Sequence, residues 1–302
     1  MATLSGEGNS YTYAGTTSVG RQNREDLSDF ITNISPTDTP FISGIGQVSA
    51  KAVLHEWLSD TLAAASAANV VVEGNDATFV TPTTVTRITN VCQINQKSVA
   101  ISGTQDAVSK AGIGKQLAYE VLKRTKEIKR DMESAALNNT AGDFTIGGST
   151  TARVIKGMPA YVTTNTATVT VTATQADIST QVQACWLQGG NPDTIIVNGA
   201  NKVVISGFTT GVTKNLDAND RRLTTAVDVY ETDFNVMRVV PDRFTTTTTV
   251  KIVESDLWKV AMLRPLAIEP LAKTGDTTKR LLTCEWTLES RQELGNAILT
   301  TP

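Results

Sequence analysis

The sequence predicts an α+β fold with one long amphipathic helix, an extended pair of strands and a β-rich C-terminal region. The helix is indicated between residues 105 and 138 by apolar residues at steps of three and four. The strand pair is indicated between residues 47 and 102 by alternation with a period of two. With 302 residues, the chain can bury about three quarters of its unfolded surface, which is enough for a large core.

The N-terminal residues 1 to 24 predict an arm rather than part of the core. They are rich in Gly, Ser, Thr and Asn and show no sustained apolar period. A short helix is predicted next, because Leu27, Phe30 and Ile31 are spaced as i, i+3 and i+4. The Ser35-Pro36 and Thr39-Pro40 pairs end it, since a residue before proline avoids the helical region.

The extended pair begins with a strand that places Val53, His55 and Trp57 on one face. A second strand region runs from residue 85 to residue 101, and neither of its faces is clearly apolar. Two strands of this kind need a partner to be stable. The sequence therefore predicts a long loop that projects from the body of the protein.

The long helix is predicted to bury one stripe, formed by Ile113, Leu117, Val121, Thr125, Ile128, Met132 and Ala135. A helix of this extent is about 50 Å long. We expect ion pairs at i, i+4 between Glu120 and Arg124 and between Lys123 and Glu127. The opposite face carries the candidate contact residues Lys115, Lys123, Lys126 and Arg130. Two interpretations are open: a solvated face with many ion pairs, or a basic face that contacts a neighbouring protein or nucleic acid.

A compact α/β module is predicted between residues 170 and 244. Thr174 and Asp177 form an acidic variant of the capping box before a helix that buries Ile178, Val182, Cys185 and Trp186. A buried strand follows at residues 194–197, and Asn198 is placed to cap the next helix. The last sixty residues are predicted as strands, with Leu282, Cys284, Trp286 and Leu288 on one face.

The inventory of chemical groups argues against an enzyme, a cofactor or a metal. The chain contains one histidine, His55, and three separated cysteines, so a His or Cys zinc site lacks ligands. Gly112-Ile-Gly114-Lys115 does not complete a phosphate loop, and no G-x-S-x-G or H-E-x-x-H motif occurs. The carboxylates Glu56, Asp60, Glu73 and Asp76 are predicted to be solvated or interfacial, and His55 is predicted to be a packed aromatic ring.

Charge and hydropathy argue against a protein that binds nucleic acid or membranes through its overall charge, and against a membrane-spanning or secreted protein. The formal net charge is −3, so attraction of the whole molecule to nucleic acid or an anionic membrane is not expected. No apolar stretch approaches the ~20 residues of a membrane span, and the polar start is not a signal peptide. The odd number of cysteines predicts reduced, buried thiols.

Several stretches resemble the major capsid proteins of tailed bacteriophages with the Hong Kong 97-type fold. The most specific one covers residues 23–46, NREDLSDFITNISPTDTPFISGIG. The resemblance continues in HEW at 55–57, DTLAAA at 60–65, VEGNDA at 72–77 and NVCQI at 90–94. It includes the long helix, then PDTIIVN at 192–198 and RPL at 264–266. It thus covers most of the chain in order.

The resemblance implies a division of the chain into five segments. These are an N-terminal arm (1–46), an extended loop (47–102), a peripheral domain with a spine helix (103–168), an axial domain (169–244) and return strands of the peripheral domain (245–302). It implies a non-enzymatic protein that assembles into hexamers and pentamers of an icosahedral head shell around double-stranded DNA. The expected location is the virion, after assembly in the host cytoplasm.

The resemblance also implies partners other than the protein itself. We expect a separate scaffolding protein, because the arm is short, together with a portal, and a decoration protein is a further candidate. Packaged DNA is expected on the inner surface. Two alternatives remain open from the residues alone. One is a tail-tube or decoration protein, of which a tube subunit should lack a ~30-residue helix. The other is a cytosolic α/β enzyme or binding module that uses carboxylates near Glu73, which a monomer with a deep pocket would favour.

Overall fold

The computed structural model describes residues 35–82, 84–108, 113–208 and 228–302. The helices of this part are α1 (Pro40–Gly44), α2 (Gly103–Ala107), α3 (Gln116–Asn138), α4 (Met158–Tyr161), α5 (Gln175–Leu187) and α6 (Gly199–Ser206), with a 3₁₀ turn at Ser255–Leu257. The first strands are β1 (Gly46–Ser49), β2 (Leu54–Ser59), β3 (Thr86–Val91), β4 (Gln93–Ser102), β5 (Thr166–Thr168) and β6 (Thr194–Val197). The remaining strands are β7 (Val229–Glu231), β8 (Val236–Pro241), β9 (Thr249–Val253), β10 (Trp258–Pro270), β11 (Thr277–Ser290) and β12 (Ala297–Thr300). None of the described helices is long and apolar enough to cross a membrane.

A four-stranded sheet with the order β1-β10-β11-β4 forms the first layer. Helix α3 packs on it and buries Ile128, Met132 and Leu137 against Trp258 and Trp286. The indole N–H of Trp258 donates to Asn296 Oδ1 at 2.8 Å, so this large side chain is buried without losing its hydrogen bond. The packing of an amphipathic helix on a sheet gives the molecule its first core.

A six-stranded mixed sheet with the order β5-β12-β9-β6-β8-β7 forms the second layer. Helix α5 covers it with Ile178, Val182 and Cys185, as predicted. Thr174 accepts from the backbone N–H of Asp177, whose carboxylate accepts from the backbone N–H of Thr174, which confirms the predicted capping box. The predicted cap at Asn198 is also confirmed, because its Oδ1 accepts from the backbone N–H of Ala200.

The strand pair β2 and β3 is antiparallel and separate from both sheets, with Leu54 opposite Val91 and Ser59 opposite Thr86. Its base is fixed to β11 by side chains. The indole N–H of Trp57 donates to the carbonyl of Ser290 at 2.6 Å, and Asn90 Nδ2 donates to the carbonyl of Leu288 at 2.8 Å. The extended loop is therefore held rigidly at its root.

The long helix is shorter than predicted. Helix α3 begins at Gln116 and extends for 23 residues, or about 35 Å, while residues 103–107 form the separate helix α2. Lys115 has extended dihedral angles, so the helical hydrogen bonds do not continue before it. The expected ion pair between Glu120 and Arg124 is present, with an N–O distance of 3.9 Å. The expected ion pair between Lys123 and Glu127 is wrong, because Glu127 pairs with Arg124 at 2.8 Å.

Other expectations are corrected or stay open. Trp186 is 51% exposed and packs on Phe234 with ring centroids 5.3 Å apart, so it is not in the core of its module. The short helix expected at Leu27, Phe30 and Ile31 lies outside the described residues. The range 245–302 supplies β10 and β11 to the four-stranded sheet but β9 and β12 to the six-stranded one. The five segment boundaries stay a prediction.

Candidate assembly surfaces

The segment between β2 and β3 exposes apolar side chains that no described part of the chain covers. All described residues from 60 to 87 are exposed, and those from 60 to 85 belong to no strand or helix. Leu62 is 99% and Phe79 is 94% exposed, and their apolar neighbours Val70, Val71, Val72 and Val80 are similarly open. Exposed apolar groups of this extent mark surfaces that another molecule covers. We call residues 60–85 the projecting loop.

The charges of the projecting loop are acidic. Asp60, Glu73 and Asp76 lie in it, and the described part of it contains no Lys or Arg. Next to it, Glu56 pairs with Arg87 at 3.5 Å. The described residues contain no group of three or more His, Cys, Asp or Glu that could hold a metal ion. Asp60, Glu73 and Asp76 are exposed in the isolated chain, and whether they are solvated or interfacial in an assembly stays a prediction.

His55 lies at the root of this loop and does more than the sequence indicated. Its ring packs on Trp57 with centroids 5.6 Å apart, as expected for a packed aromatic ring. In addition its Nε2 lies 3.0 Å from Glu289 Oε2, and Arg291 Nε donates to Glu289 Oε1 at 3.0 Å. The histidine thus ties β2 to β11, and sequence alternation alone could not reveal a partner so distant along the chain.

Three of the four candidate basic residues lie together on α3, and the fourth lies apart from them. Lys123, Lys126 and Arg130 line one groove, which is completed by Ser35, Thr37, Tyr119, Leu122 and Glu127. Lys115 precedes the helix, is exposed and does not line this groove. Among the described residues, ion pairs form at Arg124 and at Asp131 of this helix but not at Lys123, Lys126 or Arg130. We call this the basic groove.

A buried ionisable cluster was missed by the sequence analysis. Glu133, Asp242 and Lys251 are all at most 1% exposed. Glu133 accepts from the backbone N–H groups of Phe41 and Ile42, while Lys251 donates to Thr245 and Thr249. Glu133 precedes Ala136 and Leu137 by three and four positions, and this spacing is the signal that could have placed it on the buried stripe.

Burial shifts the protonation of this cluster. Desolvation raises the pKa of Glu133 to about 8, and the Asp242 carboxyl nearby raises it further. Desolvation also raises the pKa of Asp242 and lowers that of Lys251 to about 8. The two carboxyls titrate as a unit. The cluster joins α1, α3 and the six-stranded sheet, so it is placed to hold them together.

The three cysteines are free and buried, as predicted. Burial raises the pKa of Cys92, Cys185 and Cys284 to about 11 in each case. A thiol with such a pKa is protonated at neutral pH and is a poor nucleophile. The described cysteines therefore act as small core side chains.

Comparison with known proteins gives consistent matches over nearly all of the chain. The family model described as SU10 major capsid protein matches residues 8–301. The major capsid protein of Escherichia phage Phieco32 is 26% identical over 93% of this chain and 95% of its own length. The solved capsid of a native GTA particle has a TM-score of 0.66 at 13% identity, covering 96% of this chain and 99% of that one. A structure from Gordonia phage Cozz has a TM-score of 0.65 at 9% identity, covering 100% and 98%.

Proposed function

Since the chain belongs to the SU10 major capsid protein family, we propose that its projecting loop joins neighbouring copies into the hexamers and pentamers of a phage head. The protein is a structural protein of the virion with the Hong Kong 97-type fold, and copies of it form the capsid shell. The observation that carries the proposal is the full exposure of Leu62 and Phe79 at the ends of the loop.

The loop is suited to joining subunits because its root is rigid and its outer part is apolar. Trp57, His55 and Asn90 fix the root to β11. A neighbour can then cover the outer part and bury apolar area that is in water in the isolated chain. Sheet edges offer further contacts, since in the described sheets β4 and β7 each have one unpaired edge that can accept a strand from another copy.

We also propose the segment roles implied by the family. Residues 1–46 act as the arm, 47–102 as the extended loop, 103–168 and 245–302 as the peripheral domain, and 169–244 as the axial domain. The strands β9 and β12 then connect the two domains within one sheet.

The finer partners and location are part of the same proposal. A separate scaffolding protein, a portal and packaged DNA are the expected partners, and a decoration protein is a further one. The subunit acts without enzymatic chemistry, and it assembles in the host cytoplasm before it enters the virion. The three buried thiols support assembly in a reducing compartment. Lys115, Lys123, Lys126 and Arg130 provide contacts to a neighbouring subunit or to the packaged DNA.

Assembly is tested by removing the apolar character of the projecting loop. We expect the double variant Leu62→Ser and Phe79→Ser to stay folded by circular dichroism but to lose closed shells in negative-stain microscopy and sedimentation. Val171→Ser is the matched control, since Val171 is also exposed but lies outside the loop. Normal shells from the double variant would refute the proposed role of the loop.

The role of the basic residues is tested separately. We expect Lys123→Gln, Lys126→Gln and Arg130→Gln together to change shell assembly or the amount of packaged DNA, with Lys115→Gln as a single-site comparison. Unchanged assembly and unchanged packaging would exclude a contact role for the three residues.

A further inference from the structure

We propose that the basic groove of α3 is the docking site for residues 24–34 of the same chain. The proposal goes beyond the proposed function, because it assigns Lys123, Lys126 and Arg130 a partner in the same chain in place of a neighbouring subunit or DNA. The basic groove then serves to fix the arm where it leaves the body of the subunit.

The basic groove calls for an occupant with carboxylates and apolar side chains. Lys123 and Lys126 are exposed cations, and the one carboxylate of the groove, Glu127, is held by Arg124 at 2.8 Å. Arg130 stacks over the ring of Phe244 at 5.6 Å, and its buried Nε has no acceptor in the described part of the chain. Leu122 is 65% exposed in the middle of the groove. An acidic, amphipathic segment would match the two lysines and Leu122.

The segment just before the described residues has this composition. Glu25, Asp26 and Asp29 supply three carboxylates against the single Arg24. Its apolar residues follow the i, i+3, i+4, i+7 spacing of one helix face, namely Leu27, Phe30, Ile31 and Ile34. The segment can therefore offer carboxylates to the cations and an apolar stripe to Leu122.

The position of the chain points to the same occupant. Ser35 and Thr37 line the basic groove, so the segment that ends at residue 34 is bonded directly to a residue of the groove. The groove follows α3 from Tyr119 to Arg130, a rise of about 17 Å, and a helix formed by residues 24–34 would be about 17 Å long. Covalent attachment also gives this segment a high effective concentration, which favours it over a segment of another copy.

The test is zero-length cross-linking with a carbodiimide, which joins a lysine amine to a carboxylate in contact with it. The sample is the full-length chain, in assembled form if it assembles, and it is treated with nuclease to remove DNA. We expect mass spectrometry to find Lys123 and Lys126 joined to Glu25, Asp26 or Asp29 in the band of monomer mass. Lys129 is the control amine, because it is exposed on the same helix but does not line the groove. We expect at least tenfold fewer links at Lys129.

A variant of the arm completes the test without disturbing the folded body. The combination Glu25→Gln, Asp26→Asn and Asp29→Asn should abolish these links while circular dichroism stays unchanged. Links found only in bands of dimer mass would assign the groove to a second copy and overturn the proposal. The proposal would also be overturned if no links formed at Lys123 and Lys126, or if links at Lys129 were equally frequent. If the links are absent, the inference fails and the proposed role of the projecting loop stands, because that role is tested separately by the variant of Leu62 and Phe79.

Discussion

Glu133 in α3 accepts a hydrogen bond from the backbone N–H of Phe41 at 2.6 Å, across 92 positions of sequence. Its second oxygen accepts from the backbone N–H of Ile42 at 2.8 Å. One buried carboxyl thereby satisfies two donors at the start of the short helix α1, which would otherwise lack partners inside the protein. The point where the arm joins the body is thus fixed by a group that also titrates.

We predict that this carboxyl makes the stability of the subunit depend on pH. The pKa of Glu133 is raised to about 8, so between about pH 4.5 and 8 the folded chain holds a proton that the unfolded chain releases. The free energy of unfolding therefore decreases as the pH rises through this window, by at most about 1.4 kcal/mol per pH unit from this group. Below about pH 4.5 both states are protonated and the dependence ends.

Denaturant unfolding of the dissociated subunit at pH 5, 6, 7 and 8 measures this effect. We expect the difference in unfolding free energy between the wild type and Glu133→Gln to shrink or change sign toward pH 8, since Gln cannot ionise. Glu120→Gln is the control, because Glu120 lies on the same helix but is only partly buried. Parallel pH profiles for the wild type and Glu133→Gln would show that Glu133 does not titrate in this range.

A second prediction concerns Asn90, which fixes the root of the projecting loop. Its amide Nδ2 donates to the carbonyls of Leu288 and Lys156, and its Oδ1 accepts from the backbone N–H of Lys156 at 2.9 Å. Asn90→Ala leaves these buried backbone groups without partners, which costs about 2 to 4 kcal/mol. We expect a corresponding loss in urea unfolding and faster proteolysis within the loop.

The control for this prediction is Asn75→Ala. Asn75 lies in the same loop but is exposed, so its side chain can be replaced with a change of about 0.5 kcal/mol or less. A similar small change for Asn90→Ala would mean that water replaces its hydrogen bonds and that the loop does not depend on it.

The elements that were predicted correctly are those whose evidence is local. The capping box at Thr174 and Asp177, and the strand at Trp57, follow from spacings within a few residues. The same holds for the buried stripe around Ile128, although α3 begins later than its period indicated, because apolar spacing continues where the backbone at Lys115 is extended. Local patterns therefore predict element type better than element ends.

The features that were missed depend on contacts between distant residues. The alternation in β11 placed apolar residues on one face, but it did not show that Glu285 and Glu289 on the other face are buried too. Arg153 and Arg264 cover Glu285, each at 2.7 Å, and His55 covers Glu289. Both carboxylates are thus buried by partners that only the tertiary structure brings to them. The candidate basic residues were separated in the same way, since Lys115 lies outside the basic groove.

The last prediction concerns the thiols. Because burial raises the pKa of Cys92, Cys185 and Cys284 to about 11, thiolate is scarce at pH 8, at about one part in a thousand. We expect a disulfide reagent such as dithionitrobenzoate to label no thiol of the native chain within minutes, and three thiols after unfolding in guanidinium. Mass spectrometry of the native sample checks each site by itself. Rapid labelling of Cys92, which lies at the root of the projecting loop between β3 and β4, would mean that this root opens in solution and that the loop is not rigidly anchored.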